Sequence, residues 1–273
     1  MSAVPLPAEP WTQLPPETAE PLRSPRPSAV EVETVERTDL AERKRALEEL
    51  LRARRLQAEA PPLRGEDYRL RPIATGVAAL DRILVGGFPR GEQSEIHGPA
   101  ASGRTGALLA LVARTTGTGA LAALVDPLDR LDPASAKAAG VDLSRLLWLR
   151  GPREEPQART LAEATAAAAT LVGAGLFGVV ALDLAGADRE RRLLPASTWL
   201  RLGRLVENTA TALVLVADGH VACSPGGRAL ALEPAGLRFS GPPGPARLLR
   251  TLAARARAGR HGLRTAELSF AAV

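Results

Sequence analysis

The strongest chemical signal in the chain is the run Ser94-Glu95-Ile96-His97-Gly98-Pro99-Ala100-Ala101-Ser102-Gly103-Arg104-Thr105. It fits the phosphate-loop spacing G-x-x-x-x-G-K-[ST], except that Arg104 stands in the lysine position. Glycines in such a loop let successive backbone N–H groups turn inward around phosphate oxygens. A helix beginning at the loop adds the positive end of its dipole. Lysine would place a compact charge on the terminal phosphates, and the hydroxyl of Thr105 would hold Mg²⁺. Arginine is planar and forked, so the exchange is not conservative. The loop either binds a nucleotide such as ATP, with Mg²⁺, through Gly98, Ser102, Gly103, Arg104 and Thr105, or keeps its fold without its ligand. Asp183 supports the first alternative. It ends the apolar run Val179-Val180-Ala181-Leu182, where a carboxylate facing a metal-bound phosphate belongs.

These residues need a scaffold that presents loop tips from one edge of a sheet. From about Pro72 onward, short apolar runs alternate with helical stretches, the pattern of an α/β domain. Strands are expected at Gln93–Ile96, Leu121–Val125, Leu146–Trp148, Phe177–Leu182 and Thr211–Ala217. Helices are expected at Ala78–Leu84, Thr105–Thr115, Pro133–Ala139, Ala158–Leu171 and Thr198–Glu207. After Gly219 helices fade. Arg228–Leu232, Leu237–Ser240, Leu248–Ala258 and Leu263–Phe270 read as strands, the last two joined by a hairpin turn at Gly259-Arg260-His261-Gly262. The uncharged stretch Ala164–Leu182 has the length of a membrane span. Its glycines and its second half instead predict a small-residue helix followed by a central strand, and no membrane association is expected.

Upstream, residues 1–37 are rich in Pro and Glu, and the composition predicts disorder. Trp11 and Leu14 in this arm could anchor a partner. Residues 38–60 read as a charged helix with Thr38 or Asp39 as N-cap. Its stripe of Leu40, Leu47, Leu50 and Leu51 would either dock on its own domain or bind another protomer or partner. Residues 61–273 form the main domain.

The other candidates divide by chemistry. Arg247, Arg250, Arg255, Arg257 and Arg264 face only Glu267 as acid in their segment. Alternate residues of a strand share a face, so they form either a phosphate-binding stripe for DNA or a solvated surface. Asp188-Arg189-Glu190-Arg191-Arg192 is a polar loop that could touch DNA. His97, His220 and His261 are too scattered to suggest a metal site, and His97 is read as structural. Cys223 has no matched base and is no nucleophile. No catalytic residue is assigned.

The order of motifs resembles the RecA family. Ile73-Ala-Thr-Gly76-Val-Ala-Ala-Leu80-Asp81 is similar to that family's I-x-T-G-x-x-x-L-D, and Gly87-Phe-Pro89-Arg-Gly91 to its G-(L/F)-P-x-G turn. Gly98-Pro99-x-x-Ser102-Gly103-x-Thr105, then Val125-Asp126, Leu131-Asp132-Pro133 and Gly140-Val141-Asp142-Leu143 follow in order. Gly226-Gly227-x-Ala229-Leu230 resembles the end of the second DNA loop. The resemblance implies a RecA-like core: a mostly parallel central sheet, helices on both faces, and a C-terminal antiparallel hairpin extension. It also shows departures. The family's catalytic glutamate falls near Leu128, its adenine-stacking tyrosine at Ser135 and its phosphate-sensing glutamine at Asp218. Asp126 or Asp129 could stand in for the lost base. Both DNA loops, Leu184–Leu194 and Gly219–Pro225, look shortened, and the family's C-terminal domain is expected to be absent.

A RecA core with altered catalytic groups and an added arm resembles the ImuA group of degenerate RecA relatives. That resemblance implies a mutagenesis accessory in the SOS response and translesion synthesis. Its implied partners are a RecA-type recombinase, an ImuB-like Y-family protein, an error-prone polymerase and DNA. The alternatives are an active DNA-dependent ATPase or recombinase, and a nucleotide-free scaffold that never touches DNA.

Composition limits the field in other ways. The chain of 273 residues has 35 Lys+Arg against 30 Asp+Glu, a net charge of +5, which permits nucleic-acid binding without demonstrating it. Hydrophobic content of 45% suffices for a core. Aromatics at 3% argue against stacking platforms for single strands. One Cys excludes an intrachain disulfide and fits a reducing cytoplasm, with nucleoid association if DNA is bound.

Overall fold

The computed structural model describes residues 45, 49, 71–151, 158–242, 244, 247–259 and 264–271. The arm at 1–37 lies outside them, as do Leu40, Leu47, Leu50, Leu51 and His261. Arg45 and Glu49 are helical and exposed.

The elements follow the apolar pattern. Helix α1 (Ala78–Ile83) precedes strand β1 (Gln93–His97), and α2 (Arg104–Gly117) leads to β2 (Leu121–Asp126). Then come α3 (Pro133–Ala138), a 3-10 turn at Leu143–Arg145, β3 (Leu146–Arg150), α4 (Ala158–Ala174) and β4 (Phe177–Asp183). The short α5 (Asp188–Arg191), α6 (Ala196–Val206), β5 (Ala212–Ala217), β6 (Ala229–Ser240), β7 (Leu248–Ala258) and β8 (Arg264–Ala271) follow among the described residues. The eight strands form one sheet in the order β3-β2-β4-β5-β1-β6-β7-β8. Pairing is parallel from β3 to β6, and antiparallel between β6, β7 and β8.

Strand alternation builds two cores. Val179, Ala181, Val214 and Val216 face one side of the sheet, with Leu108, Leu111 and Val112 of α2 and Leu80 of α1. Val180, Leu182, Leu213 and Leu215 face the other, with Leu161, Leu171 and Val172 of α4 and Trp199 and Leu202 of α6. Helices therefore cover both faces, and β2 and β5 are buried along their whole lengths. Among the described residues, no helix is long and apolar enough to cross a membrane. Ala164–Leu182 is the end of α4 followed by central strand β4, as its glycines predict.

Two local motifs have a clear physical basis. Thr75 donates from both its N–H and its hydroxyl to Asp81, at 2.6 and 2.8 Å, and Gly76 N–H donates to the same carboxylate at 3.1 Å. This fixes the entry into α1. Gly87 lies so near the Ile73 carbonyl that a Cβ there would sit 2.0 Å from the oxygen, so only glycine allows the Ile73–Phe88 bridge.

Two expectations need correction. The strands expected at Arg228–Leu232 and Leu237–Ser240 merge into the single strand β6, which starts at Ala229, with a register shift between Pro234 and Gly236. β1 pairs with β6 only from Ala229 to Ala231. Beyond that point one edge of β6 is unpaired, so the missing N–H of Pro234 costs no ladder bond there. The turn at Asp188–Arg191, expected to be loop, is closed as a helix by Asp188, which pairs with Arg191 and Arg192.

Candidate functional site

The C-terminal ends of β1, β4 and β5 lie side by side, and the loops that follow them meet at one edge of the sheet. The loop after β1 runs from Gly98 to Gly103. Gly98 must be glycine, because a Cβ would lie 2.2 Å from the Leu232 carbonyl oxygen. Ala101 (φ 58°) and Gly103 (φ 89°) take left-handed backbone, which turns the loop into α2. Gly103 is the N-cap of α2 and makes no side-chain cap. The first-turn N–H groups are thus not met by a capping side chain and face the loop, as in an anion cradle. Thr105 is exposed at the helix start, whereas Ser102 is fully buried and its hydroxyl has no hydrogen-bond partner among the described residues.

Arg104 does not extend outward. Its guanidinium donates to the Gly98 carbonyl, to Asp218 Oδ1 at 2.6 Å and to the Ala217 carbonyl at 3.5 Å. Only 11% of its side chain is exposed. The other oxygen of Asp218 accepts from Gly186 N–H at 2.5 Å. One carboxylate therefore ties together the loops after β1, β4 and β5. The pairing of Arg104 with Asp218 was not visible in the sequence, because 114 residues separate them. The cue was present, however: the two departures from the family pattern have opposite charge.

Asp183 sits at the end of β4 and accepts from Ala185 N–H at 3.0 Å. Enclosure by protein pushes its carboxyl up to about 6. The Ala185 bond opposes the shift, the Asp126 carboxylate adds to it, and Arg104 and Arg130 oppose it. Asp126 and Asp129, the candidate substitutes for a catalytic base, both have structural partners. Asp126 is buried and accepts from Arg130 N–H, Leu131 N–H and Trp148 Nε1 at 2.8–3.1 Å. Asp129 accepts Arg150 in a two-point pair at 2.6 and 2.8 Å. Ser135 donates its hydroxyl to Asp132 at 2.6 Å and belongs to the cap of α3.

Beside the loop is a cavity of about 380 Å³, walled by Ala100–Gly106 on one side and by Leu249, Leu252 and Phe270 on the other. The Phe270 ring lies against the start of α2: a Cβ on Gly103 would be 2.5 Å from it, and one on Gly106 would be 2.7 Å away. This apolar wall from β7 and β8 went unseen in the sequence, because only strand register brings residue 270 to residue 103. Gly103→Ala combines left-handed backbone with this overlap. It should lower stability by about 3 kcal/mol, measurable as a shift in urea midpoint. Adding Phe270→Ala should recover the part that comes from overlap.

The arginines expected to form a stripe are divided by the strand register. Arg255 and Arg257 alternate with buried Ala254, Ala256 and Ala258, so they share the outer face of β7. Glu233 and Glu267 lie directly across from Arg255. Arg257 is also ion-paired with Glu233. Arg264 pairs in register with Ala258, and lines a different cavity together with His220, Cys223 and Arg228. Arg247 stacks over Phe239, and Arg250 donates to Ser240 at 2.6 Å, both on the far part of the β6–β7 ribbon.

Two of the histidines judged too scattered come together. His220 Nδ1 meets Glu95 Oε1, and His97 Nε2 lies 3.7 Å from the same oxygen. Glu95 Oε2 accepts from Val221 N–H and Ala222 N–H at 2.9 and 3.2 Å. Burial holds His97 below its ordinary value, against the pull of Glu95; His220 and Arg257 add to the lowering.

Residues 63–185 match the RecA N-terminal domain. The chain is 41% identical to Protein RecA of Chlorobaculum parvum over 115 residues, covering 42% of this chain and 31% of that protein. It is 43% identical to Protein RecA of Symbiobacterium thermophilum over 112 residues, 41% of this chain and 30% of that protein. With Protein RecA of Rubrobacter xylanophilus the match is 34% over 183 residues, 58% of this chain and 51% of that protein. The matched segments thus span between about a third and a half of these relatives. Residues 63–185 are thus similar to the RecA N-terminal domain, and the mostly parallel sheet with its antiparallel β6–β8 extension is consistent with a RecA-like fold.

Proposed function

We propose that this chain is a RecA-like accessory of bacterial DNA-damage tolerance and induced mutagenesis, in the manner of the ImuA proteins, with nucleotide hydrolysis weak or lost. It acts by imitating a protomer. The segment at 38–58, whose sequence pattern is that of a charged helix, docks on a RecA-type recombinase, an ImuB-like Y-family protein or an error-prone polymerase, and arginines of the C-terminal strands contact DNA. It works at the nucleoid.

The observation that carries this reading is the inward ion pair of Arg104 with Asp218. A hydrolytic site needs its cation on the transferring phosphate and a base on the attacking water. Here the cation is held by an internal carboxylate, and the two nearby acids are held by Trp148, backbone N–H groups and Arg150. Arg255 and Arg257 supply the DNA contact, with an affinity that falls steeply as salt rises.

The test separates an accessory from an ATP-driven recombinase. In the host cell, deleting the gene should lower damage-induced mutation frequency, and Asp183→Asn should leave that frequency at the wild-type level. The purified protein should turn over ATP no faster with single-stranded DNA than without it. Turnover abolished by Asp183→Asn, together with loss of the mutation phenotype in the same variant, would establish the recombinase instead.

A further inference from the structure

We infer that Glu95, His97 and His220 form a binding site for a divalent transition-metal ion of the zinc class. The three side chains come from two elements: Glu95 and His97 from β1, and His220 from the segment after β5. One ligand atom from each lies within 4.8 Å of the others. Tetrahedral zinc with N and O ligands at about 2.0–2.2 Å holds them roughly 3.3 Å apart. The distance from His97 Nε2 to Glu95 Oε1 is 3.7 Å, already near that spacing.

Three features favour a cation over a simple hydrogen-bonded cluster. First, both imidazoles converge on the same oxygen, Glu95 Oε1, so its lone pairs face two nitrogens at once. Second, that oxygen is positioned by the rest of the carboxylate. Glu95 is fully buried, and its Oε2 is anchored by two backbone N–H groups, which leaves the other oxygen facing the two imidazoles. Third, the His220 side chain is 67% exposed, so an ion arriving from solvent can reach the ligand set. Two imidazoles and one carboxylate leave the fourth position of the ion to water, and this donor set suits zinc, cobalt or ferrous iron better than magnesium or calcium.

The ion would clip the Gly219–Pro225 segment onto β1, next to the phosphate loop that begins at Gly98. The site shares no residue with that loop, so it stands or falls independently of nucleotide binding.

The experiment uses the full-length protein, stripped with chelator and titrated with Zn²⁺ by calorimetry and with Co²⁺ by visible absorption. One Zn²⁺ should bind per chain with a dissociation constant in the micromolar range or below, and the melting temperature should rise on saturation. Co²⁺ should give the visible bands of nitrogen and oxygen ligation, and a strong thiolate charge-transfer band would overturn this ligand set in favour of Cys223. His220→Asn, on an exposed side chain that leaves the core intact, should weaken binding at least tenfold, and so should His97→Asn. His261→Asn should leave it unchanged. Binding that is absent, or equally strong in His220→Asn, would overturn the site.

Discussion

The double variant Arg104→Lys/Asp218→Gln should bind a fluorescent ATP analogue with Mg²⁺ at least a hundredfold more tightly than the native chain. The argument is one of competition between anions. In the native chain the Arg104 guanidinium has the Gly98 carbonyl and Asp218 as partners, and 11% of its side chain meets solvent. A terminal phosphate would have to displace the Asp218 carboxylate from that cation. A hydrogen bond to a charged group contributes about 1.5–3 kcal/mol. Breaking the internal pair therefore cancels most of what the phosphate gains. Glutamine at 218 removes the competing charge, and its side-chain carbonyl can still accept from Gly186 N–H. Lysine at 104 supplies a compact, flexible ammonium. A hundredfold gain corresponds to about 2.7 kcal/mol, which is the loss of one such pair. The single variants should each fall well short of the double, because Arg104→Lys alone leaves Asp218 as counter-ion and Asp218→Gln alone leaves a forked cation on the Gly98 carbonyl. Equilibrium titration of all four proteins gives the coupling directly. Equal affinity in the native and double-variant proteins would show that the ion pair does not guard the loop.

The ease of reading this molecule from its sequence follows the range of the interactions involved. The five parallel strands β1 to β5 and helices α1 to α4 and α6 were legible because each is a contiguous apolar run or a helical stripe between glycines. Gly98 and Gly103 were legible from the phosphate-loop spacing, whereas the contacts with Leu232 and Phe270 that leave no room for a side chain there were not. The site chemistry was harder to see. Asp218 was recognisable as a departure from the family's glutamine, but that it holds Arg104 depends on β5 lying beside β1. The histidines looked scattered because 123 positions separate His97 from His220. The same β1–β5 pairing brings them to one carboxylate. The basic stripe was legible only in part. Counting alternate residues along one strand grouped Arg255 with Arg257 correctly. It could not show that Glu233 would be drawn to Arg257 from the neighbouring strand, or that register would send Arg264 to another cavity.

Asp183→Asn should make the protein more stable at pH 7.5 by up to about 3 kcal/mol, and should make no difference near pH 4. The carboxyl of Asp183 titrates at about 6 in the folded chain, because its surroundings disfavour the charge and the Asp126 carboxylate adds repulsion. In the unfolded chain it titrates near 3.9. Below both values the acid is protonated in either state, and its titration costs nothing. Between them the folded state holds a proton that the unfolded state has released, so stability falls as pH rises through this window. Above about 6 the loss is complete, and two pH units correspond to about 3 kcal/mol. Asparagine keeps the acceptor for Ala185 N–H, now at 3.0 Å from Asp183 Oδ1, and carries no charge. Urea unfolding of both proteins at pH 4 and pH 7.5 tests the claim, and a gain of the same size at both values would refute it, because only the titration ties the effect to pH. Arg104→Ala should enlarge the difference at pH 7.5, since the Arg104 charge opposes the shift of Asp183. Folding alone would favour asparagine at the end of β4. The carboxylate is held there at a cost to stability, beside a phosphate loop whose cation is turned inward, so it is the group in this site least explained by the fold.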